Sequence, residues 1–141
     1  KREQTAETDA AGMKILVVED NEINMEIAEF YLTEAGAKTE KAWNGAEAVQ
    51  KFAESETGSF DVILMDVMMP VMDGLEATRR IRALEHPDAG TVTILAMTAQ
   101  SSADSIHQCE QAGMNGYIAK PVEAAELIKI LSEKCPKGCK N

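Results

Sequence analysis

Basic side chains are in short supply. Fourteen lysines and arginines face 24 aspartates and glutamates, a formal charge of −10 at pH 7. So acidic a chain has no electrostatic drive toward a nucleic-acid backbone; it suits a protein that handles cations or docks on basic surfaces. Cysteine is scarce as well: Cys109, Cys135 and Cys139 are an odd set without framework spacing, which argues against a disulfide-stapled secreted domain. Cys135 and Cys139 flank Pro136, Lys137 and Gly138 in a short basic tail. A metal site there would need further ligands, and His86 and His107 are far off in sequence, so a reduced, unstructured tail is expected. No apolar stretch is long enough to cross a bilayer, and no charged segment followed by an apolar one opens the chain as a secretion signal would. The expectation is a soluble cytoplasmic protein, monomer or weak dimer, with no direct membrane or nucleic-acid partner. With 45% hydrophobic residues in 141, one domain with a single core is affordable.

What is present is an alternation of strand and helix patterns. Residues 1–12 are polar and without period, and read as a linker; the lysine at position 1 suggests a fragment or processed start. Ordered structure is expected over 13–134, with 135–141 as the tail. Ile15–Val18, Val62–Met65 and Thr93–Met97 are short continuous apolar runs, as parallel strands buried on both faces require. Lys38–Ala42 is polar and suits an edge, and Gly116–Ala119 is a short fifth strand. Asn21 can cap a helix bearing Ile23, Ile27, Phe30 and Tyr31, with Gly36 past its end. Asn44 and Gly45 open a second helix to about Ser55. A third spans about Leu75–Leu84 with Leu75, Thr78 and Ile81 inward, a fourth spans Ser101–Gln111 before Gly113, and a fifth carries Leu127, Ile128 and Leu131. Five strands alternating with five helices predict an α/β, flavodoxin-like (βα)5 three-layer sandwich with right-handed crossovers. Polar Lys38–Ala42 at the edge and apolar runs inside give a parallel sheet of order 2-1-3-4-5, with its switch point between strands one and three.

The strand ends carry the chemistry. In such a sheet they share one edge, where Glu19, Asp20 and Asp66 converge and Thr98 and Lys120 follow. Each carboxylate pair at about 4 Å repels by roughly 4 kcal/mol at an effective dielectric near 20. Either the carboxyl pKa values rise or a divalent cation relieves the repulsion. A small, partly open all-oxygen site suits Mg2+, which shares its coordination with a phosphate. A carboxylate nucleophile beside a hard cation, with a lysine and a hydroxyl awaiting an oxyanion, is a phosphoryl-accepting site. Asp66 would attack phosphorus in line.

Five segments then resemble one family, the receiver domain of two-component response regulators and hybrid histidine kinases. They are Val-Val-Glu-Asp-Asn at 17–21, Leu-Met-Asp-Val-Met-Met-Pro at 64–70, Met-Asp-Gly at 72–74, Ala-Met-Thr-Ala at 96–99 and Ala-Lys-Pro at 119–121. Each is weak alone; their order and spacing are specific. The resemblance implies that Asp66 accepts phosphate from a phosphohistidine. Glu19, Asp20, Asp66 and the Met68 backbone carbonyl would hold Mg2+, with Mn2+ as a substitute. Thr98 would move toward the phosphoryl group, Tyr117 would change rotamer with it, and Lys120, joined to Pro121 by a cis bond, would bind phosphate. Met68 and Gln100 occupy positions that tune dephosphorylation. The first helix of the family docks on the four-helix bundle of a histidine kinase or phosphotransfer protein, a role for Ile23 and Asn24, while Ile27 is expected mainly in the core. As an isolated domain it would not be an enzyme beyond self-phosphorylation and autodephosphorylation; a hybrid parent would be a histidine kinase. The stretch Asn-Glu-Ile-Asn-Met-Glu-Ile at 21–27 favours that hybrid parent over a stand-alone regulator.

Two other classes share parts of this pattern. A haloacid-dehalogenase-like phosphatase needs a second aspartate two residues after the nucleophile, where Met68 stands. A flavin- or nucleotide-binding module needs a Gly- or Ser/Thr-rich phosphate loop after the first strand, where Glu19 and Asp20 would repel phosphate. The Met65, Met68, Met69 and Met72 group reads as loop and core filling, His86 and His107 as surface residues, and Trp43 has no assigned role.

Overall fold

Strands form where the apolar runs are, and their burial explains why they contain little else. The computed structural model describes residues 12–69, 71–99 and 102–134; Gln100, Cys135 and Cys139 lie outside them. The strands are β1 (Lys14–Val18), β2 (Lys38–Ala42), β3 (Val62–Asp66), β4 (Thr93–Thr98) and β5 (Gly116–Ala119). The helices are α1 (Glu22–Glu34), α2 (Gly45–Glu54), α3 (Gly74–Arg82), α4 (Ala103–Ala112) and α5 (Ala124–Lys134). All strand pairs are parallel, in the order β2-β1-β3-β4-β5. This is the flavodoxin-like arrangement that the sequence predicts.

Side chains alternate across the sheet. Ile15, Val17, Leu64 and Met97 face α1 and α5, meeting Met25, Leu32, Leu127 and Leu131. Leu16, Val18, Ile63 and Met65 face the other layer, meeting Phe52, Ala77, Ile81 and Cys109. The edge strand β2 exposes Lys38, Glu40 and Lys41, and charges on an edge discourage pairing with another chain.

Helix α1 departs from expectation. Its core face is Met25, Ala28 and Leu32; Ile23, Ile27 and Phe30 lie on the opposite side, 67%, 39% and 60% exposed. Ile27 is therefore not a core residue. The spacing 25–28–32 is itself a helical stripe, and Met25 and Leu32 fill the core between the helix and the sheet. The stripe at 23–27–30 is left without a covering element among the described residues.

On α3, Ala77 rather than Leu75 takes the innermost position, with Gly74, Thr78 and Ile81. The helix start is pressed against β3: a Cβ on Gly74 would lie 2.2 Å from the Asp66 carbonyl oxygen. His86 is not a free surface residue. Its ring packs on Phe52 at 4.7 Å, Nε2 bonds the Ser55 carbonyl at 2.8 Å and Nδ1 accepts from the Asp88 amide at 3.0 Å. Arg82 fastens the far end of α3, its guanidinium donating to the carbonyls of Gly113 and Ala89 and to Asn115 Oδ1.

One buried polar atom is unsatisfied among the described residues, Thr78 Oγ1, on a side chain with no exposed surface. Burying a hydroxyl without a partner costs free energy that an isosteric methyl does not. Thr78→Val is expected to stabilise the fold by about 1 kcal/mol, read as a rise in the urea midpoint at unchanged slope; a lowered midpoint would show that Oγ1 is hydrogen-bonded in solution.

Candidate functional site

The parallel register brings the carboxyl ends of β1, β3, β4 and β5 to one edge. Glu19 follows β1, its amide bonded to the Ala42 carbonyl at 3.1 Å. Asp66 ends β3, Thr98 ends β4 beside Ala119 of β5, and Lys120 comes next, joined to Pro121 by a cis peptide bond. Glu19, Asp66 and Thr98 are buried; Asp20 is exposed.

Carboxylate oxygens of Glu19, Asp20 and Asp66 all lie within 4.8 Å of one another. Lys120 Nζ bridges two of them, 3.0 Å from Glu19 Oε1 and 3.1 Å from Asp66 Oδ2. The other oxygens accept amides: Glu19 Oε2 from Asn21 at 3.2 Å, and Asp66 Oδ1 from Met68 at 3.2 Å. Surface acids often cluster without purpose, but here two of the three are almost fully buried, where a carboxylate is costly unless charge compensates it. One lysine cannot neutralise three carboxylates. The acidic cluster therefore fits a divalent metal, supplied by oxygen donors alone.

The protonation energetics record the same imbalance. Burial, then the charge of Glu19, raises the Asp66 carboxyl from 3.8 to about 7, against the opposing pull of Lys120. Burial by itself would lower the Lys120 ammonium; hydrogen bonds and charges from Glu19 and Asp66 outweigh it and raise it. Lys120 thus stays cationic throughout the physiological range.

The remaining predicted residues spread around this centre. Met68 gives its amide to Asp66, while its side chain is 77% exposed. Tyr117 stands on β5 opposite Ala96 and is 38% exposed. Ile23 and Asn24 are exposed on the first turn of α1, and Ile27 follows a turn later. A hollow of about 340 Å³ beside the acids is lined by Asn24, Ile27, Met97, Lys120 and Val122. A larger, shallower hollow of about 560 Å³ lies elsewhere, along Lys14, Glu40, Lys51 and Phe60; it lacks the converging carboxylates.

Sequence reasoning missed four contributors. Phe30 extends the exposed stripe of α1. Val71 adopts φ +69° at the tip of the loop after β3 and is 82% exposed, an uncommon conformation for a β-branched residue. Gly45 packs against that loop at Met72 and Asp73, and Gly74 against Asp66 and Met65 of β3, where no side chain fits. Gly45 was legible as a helix opener and Gly74 as part of the Met-Asp-Gly segment, but their contacts are long-range.

The fold and this acid–lysine edge define an α/β domain with an acidic cluster fitted to a divalent metal. The chain belongs to the response regulator receiver domain family, whose model matches residues 15–132. It is 41% identical over 128 residues to the osmosensing histidine protein kinase SLN1 of Saccharomyces cerevisiae, an alignment covering 88% of this chain and 10% of that protein. The chain spans 7–17% of the length of the curated kinases it matches first, so it is homologous to their receiver domains alone. Among solved structures, the receiver domain of a sensor histidine kinase from Pseudomonas aeruginosa, with magnesium coordinated in its active-site cleft, superposes with TM-score 0.79 at 41% identity, covering 89% of this chain and 98% of that one. A Saccharomyces cerevisiae receiver domain, crystallised with the histidine phosphotransfer protein Ypd1, superposes with TM-score 0.80 at 30% identity, covering 92% and 93%. No helix among the described residues is long and apolar enough to cross a membrane.

Proposed function

We propose that Asp66 is the phosphoacceptor of this receiver domain. One observation carries the reading: Asp66 is a buried carboxylate held between a lysine and two further acids at the sheet edge. In the reaction an Asp66 carboxylate oxygen attacks phosphorus, the P–N bond of a phosphohistidine breaks, and the departing imidazole nitrogen keeps the electron pair and takes a proton. Glu19, Asp20, Asp66 and the Met68 carbonyl would hold Mg2+, or Mn2+ in its place; the bound ion supplies positive charge to the transferring phosphoryl oxygens. Lys120 neutralises a further oxygen, and its two ion pairs keep it aimed at Asp66. Thr98, buried at the end of β4, is the hydroxyl that reads the product, and Tyr117 the aromatic that answers it. Met68 and Gln100 set the lifetime of the phosphoryl group.

The receiver domain is 13–134, flanked by 1–12 as linker and 135–141 as tail. In this reading the module belongs to a cytoplasmic portion of a hybrid histidine kinase, a stand-alone regulator being the other reading. By itself it takes up and loses phosphate without acting on another substrate, as a monomer or weak dimer. The test is label transfer from a phosphohistidine donor: an acid-stable, hydroxylamine-labile label on Asp66 is expected, and its absence in the wild type with metal present sinks the assignment.

The phosphodonor bundle would dock over Ile23, Asn24 and Ile27, beside the hollow that opens toward Lys120. Ile23 is exposed enough for a charge to leave the fold intact. Ile23→Asp is expected to slow transfer from a helical-bundle donor about tenfold, the loss of roughly 1.4 kcal/mol of contact, while uptake from acetyl phosphate stays unchanged. Equal slowing with both donors would mean that the substitution damaged the site itself.

A further inference from the structure

The geometry points to Gly45, on a helix that contributes no reacting group, as a positioning residue for the Asp66 site. The inference rests on the phosphoacceptor reading above. Gly45 is the first residue of α2 and is buried. Its amide donates to the Met72 carbonyl at 3.1 Å. A Cβ there would stand 2.4 Å from that same oxygen, 3.1 Å from the Asp73 carbonyl oxygen and 3.0 Å from Ala77 Cβ. The glycine is needed for space.

What Gly45 touches is the loop that shapes the nucleophile's surroundings. The near end of that loop is tied down twice, by the Val67 amide on the Met97 carbonyl at 3.1 Å and the Gly74 amide on the Val67 carbonyl at 2.9 Å. Met68, whose amide holds Asp66 Oδ1, comes immediately after. On the far limb Val71 is exposed and adopts φ +69°. Among the described residues, this limb returns to the body of the protein through the Gly45 amide on the Met72 carbonyl and, one residue on, through Asp73, which caps α3 by accepting from the Glu76 amide at 2.9 Å and the Ala77 amide at 3.0 Å.

A methyl group at position 45 meets backbone oxygen, which cannot rotate away. Either α2 or the loop must yield. Helix α2 is anchored by Asn44 Oδ1 accepting from the Glu47 amide at 2.9 Å, by Glu47 Oε1 accepting from the Trp43 amide at 2.8 Å, and by buried Ala48 and Phe52. The loop limb is held at its end by the Gly45 bond to Met72 and by the Asp73 cap of α3, with exposed Val71 before them, so the loop is the side that moves, and with it the aim of the Met68 amide and carbonyl. Displacements of about 1 Å remote from the reacting atoms cost up to ~100-fold in rate, and supports behind a metal's ligands are typically worth 10–100-fold in affinity.

The test uses Gly45→Ala, with Gly90→Ala as control because a Cβ at Gly90 meets nothing within 4 Å. Mg2+ affinity is measured by titrating backbone amide shifts, phosphorylation by acetyl phosphate uptake, and folding by far-UV circular dichroism. Gly45→Ala is expected to stay folded, to bind Mg2+ about tenfold more weakly and to phosphorylate more slowly at saturating Mg2+, with Gly90→Ala like wild type. Folded Gly45→Ala with wild-type affinity and rate overturns the inference. Should Gly45→Ala not fold, wild-type protein decides: the Gly45 amide resonance is expected to shift with the same Mg2+ midpoint as that of Met68, and an unmoved Gly45 resonance overturns the inference. A wild type that binds no Mg2+ and takes up no phosphoryl group would instead remove the phosphoacceptor reading; a competent wild type matched by Gly45→Ala removes only the positioning role.

Discussion

Asp66→Asn is expected to abolish phosphoryl uptake and, in the absence of metal, to make the protein more stable at pH 8. The first effect is a loss of nucleophile: an amide oxygen carries no charge to form the acyl phosphate, and no neighbouring acid can substitute without moving the site. The second follows from the carboxyl's position. Its value rises from 3.8 to about 7 on folding, so between those values the folded chain holds a proton that the unfolded chain has released. Stability from this group is complete below about pH 4 and is lost as pH climbs through 7. This rise sets a ceiling of about 4 kcal/mol; with Lys120 Nζ 3.1 Å away partly offsetting the burial of the charge, about 2 kcal/mol is expected. Urea unfolding at pH 4.5, 6 and 8 in chelator reads it: the wild type loses stability across this window relative to the variant. Adding Mg2+ at pH 8 should restore the wild type and leave Asp66→Asn almost unmoved. A wild type and variant that run parallel with pH would show that Asp66 is charged throughout, and that Lys120 alone outweighs burial.

Lys120→Met is expected to move three quantities in different directions. Without metal at pH 8 it leaves Glu19 and Asp66 buried with the cation between them gone, a loss of about 3 kcal/mol, since breaking a buried pair strands an uncompensated charge. At pH 5 the penalty should shrink, because Asp66 can then protonate. Mg2+ affinity should rise, as the ammonium that competes for Asp66 Oδ2 is removed. Phosphoryl uptake at saturating Mg2+ should still fall about a hundredfold, the scale of losing one preorganised charge at a developing oxyanion. Tighter metal binding with slower chemistry would be the signature of a lysine that serves the transferring group. Parallel loss of both would mean instead that Lys120 chiefly holds the acids in place.

Much of this was readable in order along the chain. The apolar runs at 15–18, 62–65 and 93–97 became the central strands, and the polar run at 38–42 became the edge, because burial on two faces admits little but aliphatic side chains. The acids and lysine were legible for a related reason: a charge directly after a buried run has only the strand end to occupy, and parallel strands share that end. Helix faces were harder. Residues 23, 27 and 30 of α1 and residues 25, 28 and 32 make equally good stripes, and only contact with the sheet chose the second. The preference for Ile27 in the core failed because hydrophobicity says that a residue gains from burial, not that a partner is available. His86 followed the same logic in reverse, since two loops remote in sequence had to meet around its ring.

The sequence by itself determined the alternation of elements, the sheet order and the set of charges gathered at its edge, since each depends on local pattern and on rules of chain connection. Tertiary structure alone decided how those charges are shared: Lys120 divided between Glu19 and Asp66, and the Met68 amide claiming the remaining Asp66 oxygen. It also decided which stripe of α1 faces solvent and which glycines are needed for space. Those outcomes depend on distances of a few tenths of an ångström between residues up to dozens of positions apart, where packing has no local signature.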